Sequence, residues 1–251
     1  MNIDHKFSSP NYSVRQSDVS MVVLHFTEIG FDEAVERLCD PRTKLSAHYV
    51  IKSNGEIFNL VDEAQVAWHA GVSFWQDFER INEHSIGIEI DNDGKSDFPT
   101  IQMDACVALC SYLKNKYNIC RKNFLGHSDI APTRKIDPGI LFDWSYLAKS
   151  DLGLWYDENI NINAIAPEIL LQFGLAGPQV LKLQTALNKL GYKIEITGLF
   201  DTQTNFVVRA FQAHFYPEIM QKLGMDHYWS DDSKYFWDSK CESILQSFIK
   251  S

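Results

Sequence analysis

Gly126-His127-Ser128-Asp129-Ile130-Ala131-Pro132-Thr133-Arg134-Lys135-Ile136-Asp137-Pro138-Gly139 is the stretch on which the reading of this chain turns. Within a short reach it offers an imidazole, an ammonium and a carboxylate. It carries two prolines between terminal glycines, and no helical or alternating period. That composition predicts a loop held in a fixed shape. Phe124-Leu125 before it reads as the apolar end of a strand. A stiff, charged loop leaving a buried strand is a place for chemistry. The first hypothesis is that His127 and Asp137 bind a metal and that Lys135 faces the same site.

Working outward, a catalytic zinc needs three protein ligands and one open position. Ser20-Met21-Val22-Val23-Leu24-His25 reads as a buried strand closed by His25, the candidate third ligand. Ser85-Ile86-Gly87-Ile88-Glu89-Ile90 is another strand with an acid near its end. Each candidate lies where a strand gives way to a loop, and strand ends converge at one edge of a sheet. Glu89 is a candidate general base, or else a surface carboxylate. His48 and His69 are further candidates, against the commoner outcome of a buried, hydrogen-bonded histidine. Trp68, Phe74 and Trp75 form either a wall for sugar or peptide or part of a core. His127-Ser128-Asp129 is no catalytic triad, because triad members meet through space. GxSxG, HExxH and Walker-type motifs are absent, as is the zinc deaminase signature.

The remaining elements set the fold class. Phe31 to Cys39 has helical period with Ala34, Val35 and Leu38 on one face. Ser46 to Ile51 and Glu56 to Val61 read as strands joined through Asn54-Gly55, a hairpin signal. Thr100 to Tyr117 is helical, with Met103, Val107, Cys110, Leu113 and Tyr117 to one side. Residues 1–19 read as an ordered arm. The expected class is α/β: a central mixed β-sheet flanked by helices, followed by a small three-helix bundle. The pattern loosens from Ser150 to Pro167, which places a domain boundary there, with domains at 1–160 and 168–251. In the second, Val180, Leu183, Leu187 and Leu190 form a stripe ended by Gly191. Asp201 caps the next helix, whose Val207, Val208 and Phe211 face inward. A last helix is expected over about Tyr235 to Ile249. No charged cluster there suggests catalysis, so this part reads as a binding or docking module.

Bulk properties narrow the partners. The 251 residues carry 23 Lys and Arg against 33 Asp and Glu, a net charge of -10. That argues against nucleic acid, which calls for a basic face. Cys39, Cys106, Cys110, Cys120 and Cys241 are odd in number and contain no CxxC pair, so neither a disulfide framework nor a structural zinc knot is expected. No apolar run is long enough to span a membrane, and the N-terminus has no apolar signal core.

Taken together, Gly126-His127-Ser128-Asp129-Ile130-Ala131-Pro132 and Arg134-Lys135-x-Asp137-Pro138-Gly139 resemble the signature of zinc-dependent N-acetylmuramoyl-L-alanine amidases. That family shares its fold with peptidoglycan recognition proteins and phage T7 lysozyme. Leu24-His25-Phe26-Thr27 matches its first-ligand strand, with Phe26 a mild departure where His or Tyr is frequent. Ser46-Ala47-His48-Tyr49-Val50-Ile51, Trp68-His69-Ala70-Gly71 and Ser85-Ile86-Gly87-Ile88-Glu89 match three further blocks in order. Ser9-Pro10-Asn11-Tyr12 resembles the AmiD-like branch with an attached wall-binding domain. In the tail, Val180 to Tyr192, Gly198-x-Phe200-Asp201-x-x-Thr204 and Val208-x-x-Phe211-Gln212 are similar to the three-helix peptidoglycan-binding domain. The resemblance implies Zn2+ on His25, His127 and Asp137. It implies Glu89 as general base, Lys135 steadying an oxyanion, and substrate contacts from Arg134, His48, Trp68 and His69. It implies peptidoglycan or muropeptides as substrate, the bond being the amide between N-acetylmuramic acid, or its 1,6-anhydro form, and L-alanine. The alternative is a peptidoglycan receptor without hydrolysis. The wall-binding tail favours the bacterial envelope or periplasm; the missing leader allows the cytoplasm.

Overall fold

Met21-Val22-Val23-Leu24-His25-Phe26 is buried at every position, as expected of a strand paired on both edges. The computed structural model describes residues 1–156 and 160–249. Its chain divides into two compact units. The first holds Met1–Ser73, Glu79–His127 and Asp137–Leu154; the second holds Phe74–Phe78, Ser128–Ile136 and Trp155–Ser251. The second unit thus takes in two segments that a single cut near residue 160 assigns to the first. Asp157, Glu158 and Asn159, within the expected boundary stretch, lie outside the described residues.

The first unit begins with strands β1 (Ile3–Asp4) and β2 (Tyr12–Val14), so the ordered arm has regular structure. Strand β3 (Met21–Phe26) is followed by helix α1 (Phe31–Cys39), then β4 (Tyr49–Ile51), β5 (Ile57–Asn59) and β6 (Gln65–Ala67). In chain order, the short strands β7 (Phe74–Trp75) and β8 (Phe78–Glu79) come next, with Phe74–Phe78 assigned to the second unit, and then β9 (Ser85–Ile90) of the first. Helix α2 (Thr100–Tyr117), strand β10 (Phe124–Gly126) and helix α4 (Trp144–Ala148) complete the first unit; helix α3 (His127–Ile130) follows β10 in the chain and, after His127, is assigned to the second.

Six strands form one mixed sheet in the order β1-β5-β4-β9-β3-β10. Only the β4–β5 pair is antiparallel. It is the Asn54-Gly55 hairpin, where Gly55 takes φ +85° and its N–H donates to the Lys52 carbonyl at 2.8 Å. Helix α1 packs Phe31, Val35 and Leu38 with Ala47, Val50, Phe58 and Leu60 in one apolar cluster. In α2 the fully buried side is Cys106, Leu109, Cys110 and Leu113. Val107 and Tyr117 are only half-buried, so the expected stripe is rotated by about one position. All five cysteines are free thiols.

The second unit contains strand β11 (Ile169–Gln172), helices α5 (Pro178–Leu190), α6 (Thr202–Phe215), α7 (Pro217–Leu223) and α8 (Met225–Trp229), strand β12 (Phe236–Asp238) and helix α9 (Ser239–Ile249). The three expected helices are α5, α6 and α9, with two shorter ones and a two-stranded sheet added. The last helix starts later than expected: Phe236–Asp238 pairs antiparallel with β11 instead. Asp201 does cap α6, its Oδ1 accepting from the Thr204 N–H at 2.8 Å. Buried Gln184 ties the preceding turn, donating to Leu199 O at 2.9 Å and accepting from the Gly198 N–H at 2.8 Å.

Candidate metal centre

Sheet register brings the site together. In the parallel β3–β9 pair, His25 is the partner of Glu89 and Val23 is the partner of Gly87. Register partners in such a pair project to the same face, so His25 and Glu89 share one. On the other edge of β3, Gly126 partners Leu24. The next residue, His127, therefore leaves β10 beside His25. It does so as the first residue of one helical turn, where the sequence alone predicts irregular loop. Asp137 returns from the far end of that segment.

The three groups are buried, with 2%, 3% and 7% of His25, His127 and Asp137 exposed. Their ligand atoms converge: His25 Nδ1 lies 3.0 Å from His127 Nδ1 and 2.9 Å from Asp137 Oδ2, and His127 Nδ1 lies 3.1 Å from the same oxygen. Two donors each about 2.0–2.1 Å from a tetrahedral ion stand roughly 3.3 Å apart. The triangle has about the size of one face of a four-coordinate site, and its two nitrogens and one oxygen are a donor set that suits zinc. Among the described residues this is the one group of three such side chains within that reach. Burial acts to raise the Asp137 carboxyl, but His127 and His25 beside it outweigh this and hold it well below the ordinary carboxylate range.

The other candidates are placed as follows. Glu89 is half-buried on β9. Arg134 is exposed and Lys135 half-buried, and the backbone N–H of each donates to the Ala131 carbonyl, at 2.9 and 3.0 Å. His48 is fully buried. Its Nδ1 accepts from the Gly87 N–H at 3.0 Å, and its Nε2 faces Arg15 at 3.1 Å and Gln65 O at 3.2 Å. Both nitrogens are thus engaged inside the protein. Burial pushes this ring down to about 3, so it is neutral at physiological pH. Trp68 is half-buried, and its indole N–H donates to Ser13 Oγ at 3.4 Å. Trp75 is buried and packs edge-on against Tyr192 at 5.2 Å, which answers the open question of wall or core in favour of core.

His69 is also buried, its Nδ1 3.1 Å from His25 Nε2 and its Nε2 3.2 Å from Ser85 Oγ. His127 Nε2 lies 3.1 Å from Ala70 O. Asn82 Oδ1 accepts from the N–H groups of both His69 and Ala70, at 3.1 and 2.7 Å. Neither Asn82 nor the Ala70 carbonyl stands out in the sequence: one is an ordinary polar residue in a turn, the other a backbone group.

Residues 15–140 match the N-acetylmuramoyl-L-alanine amidase family, and residues 176–219 match the peptidoglycan binding domain. The chain belongs to the N-acetylmuramoyl-L-alanine amidase family. It is 33% identical over 220 residues to the N-acetylmuramoyl-L-alanine amidase AmiD of Escherichia coli K12, covering 80% of this chain and 76% of that one. The solved structure of E. coli AmiD in complex with anhydro-N-acetylmuramic acid-L-Ala-D-γ-Glu-L-Lys superposes with a TM-score of 0.75 at 29% identity, over 95% of this chain and 92% of that one. Pseudomonas aeruginosa AmpDh3 in complex with anhydromuramic pentapeptide gives 0.69 at 31% identity, over 91% and 90%. The amidase hydrolyses the amide joining N-acetylmuramic acid to L-alanine, so the receptor alternative gives way to the enzyme. Among its described residues no helix is long and apolar enough to cross a membrane.

Proposed function

We propose that this amidase is zinc-dependent, with Zn2+ on His25, His127 and Asp137, and that it acts on peptidoglycan-derived substrates in the bacterial envelope. The observation that carries this is the triangle of Nδ1, Nδ1 and Oδ2 atoms at 2.9–3.1 Å. Zinc held there would supply a Lewis acid and a water made acidic enough to ionise near neutral pH. Glu89, on the face it shares with His25, would serve as general base toward the attacking water and as the acid that returns the proton to the departing L-alanine nitrogen. Lys135 stabilises the negative charge that develops on the former carbonyl oxygen. Exposed Arg134 and half-buried Trp68 contact the substrate. The match at residues 176–219 supports docking of the second unit on peptidoglycan.

The substrates bound in the two related structures are anhydromuramyl peptides, which supports the 1,6-anhydro sugar as one accepted form. The test compares release of stem peptide from intact sacculi and from soluble anhydromuropeptide, with and without a chelator. We expect cleavage at the L-alanine nitrogen in both, abolished by chelation and restored by zinc. Undiminished cleavage by the metal-stripped protein would refute the assignment.

A further inference from the structure

We propose that His69 and Ala70 act as one clamp that dictates which ring nitrogen His25 and His127 present to the metal, with His69 a positioning residue. The proposal rests on the reading of His25, His127 and Asp137 as the metal site and goes beyond it, because neither clamp residue supplies a ligand.

The argument is a count of hydrogens. A backbone carbonyl can only accept. Ala70 O, 3.1 Å from His127 Nε2, therefore requires the proton on Nε2 and leaves the Nδ1 lone pair toward the cluster. For His25 the same conclusion is reached through three links. The Ser85 hydroxyl donates to the Ile81 carbonyl at 2.7 Å, which uses its one hydrogen. Ser85 Oγ must then accept from His69 Nε2 at 3.2 Å. The neutral His69 ring thereby has its proton on Nε2 and only a lone pair on Nδ1. That lone pair accepts from His25 Nε2 at 3.1 Å, so His25 also turns an unprotonated Nδ1 to the cluster. The direction of the whole relay is set by a main-chain carbonyl that cannot reverse.

The surroundings hold the clamp in place. Asn82 Oδ1 fixes the dipeptide by accepting from both of its N–H groups, at 3.1 and 2.7 Å. Gly71 after it takes φ +58°. Beneath the imidazole lies Gly87, where a Cβ would fall 2.3 Å from His69 Cγ. The ring occupies the space that a side chain on β9 would fill. Consecutive residues of one segment thus serve both metal histidines. Outer partners of this kind orient the ligand ring and raise its basicity, and their loss typically weakens metal binding ~10- to 100-fold.

The test reads metal affinity and tautomer, not turnover. In the zinc-loaded full-length protein, nitrogen-15 histidine spectra should show His25, His127 and His69 all protonated on Nε2, with His69 Nδ1 shifted as a hydrogen-bond acceptor. By chelator competition, His69→Leu should bind zinc ~10- to 100-fold more weakly. His69→Asn, whose side-chain carbonyl can stand where Nδ1 stood, should recover most of that loss. A His69 ring protonated on Nδ1, or a folded His69→Leu protein with wild-type zinc affinity, would overturn the clamp. Should His69→Leu fail to fold, the wild-type spectra decide alone. His25→Ala separates the two layers. If it keeps tight zinc, the metal-site reading itself fails. If it releases zinc while His69→Leu does not, only the clamp fails.

Discussion

Asp137 shows how the site is balanced at the scale of single residues. Its burial alone would favour the neutral acid; without an ion the two imidazoles within 3.1 Å hold it ionised, and a bound cation would take over that part once their Nδ1 atoms turn lone pairs to it. The same residues offer the clearest separation of metal binding from chemistry. Replacing Lys135 with alanine is expected to lower turnover ~100- to 1000-fold while zinc affinity stays at the wild-type value. Metal content and single-turnover rates on a soluble muropeptide check this, and unchanged turnover would remove Lys135 from the mechanism. Glu89→Gln keeps the shape but loses the base, and should cost ~100- to 10,000-fold in kcat, again with zinc retained. A variant that instead loses its zinc would show that Glu89 serves the metal and not the proton.

At the scale of elements, β4 and β9 are joined by a buried histidine as well as by their ladder. His48 accepts from the Gly87 N–H and faces Gln65 O and Arg15. Burial sets its low value of about 3; the Gln65 carbonyl opposes that shift and Arg15 adds to it. The ring is neutral in the folded protein, whereas in the unfolded chain it titrates near its ordinary value of about 6.5. Between those two values only the unfolded chain takes up the proton. Stability therefore falls as pH is lowered through that window, by up to ~1.4 kcal/mol per pH unit from this ring. Urea midpoints at pH 7 and pH 5 should differ more for the wild type than for His48→Gln. Identical pH slopes would exclude His48 as the source.

At the scale of the whole molecule, the segment Ser128–Ile136 belongs to the second unit although its two chain neighbours, His127 and Asp137, are proposed metal ligands in the first. It is tied at several points. Buried Asp129 accepts from the Tyr192 hydroxyl at 2.7 Å and pairs with His214 Nδ1 at 2.8 Å. Arg209 donates to Pro132 O at 3.0 Å and Tyr228 to Ile136 O at 2.5 Å. Asp129→Ala should destabilise the protein by about 2–6 kcal/mol, roughly 1–3 for each buried donor left without its carboxylate. Ending the chain after Leu154 removes all four partners, so activity should drop on soluble muropeptide as well as on sacculi. Full activity of the shortened chain on the soluble substrate would confine the second unit to docking.

Much of this was legible along the chain. The β-branched run at 21–26, the alternation at 85–90 and the one-sided helix at 31–39 each have a period that survives folding, because burial of apolar side chains enforces it. His25, His127 and Asp137, which the structure brings together, could also be picked out along the chain, since each residue ends or follows an element whose nature is local. Other features were not. Phe236–Asp238 reads as the start of a helix, and only pairing with Ile169–Gln172, far away in sequence, makes it a strand. The contacts of His69 and Ala70 with His25 and His127 depend on Gly87 leaving room and on Asn82 reaching back, which no spacing rule encodes. The order of residues by itself determined which chemical groups exist and which elements carry them. The tertiary structure alone decided which lone pairs meet, because a hydrogen bond or a ligand triangle is a matter of distances of a few ångströms between residues that the chain keeps tens of positions apart.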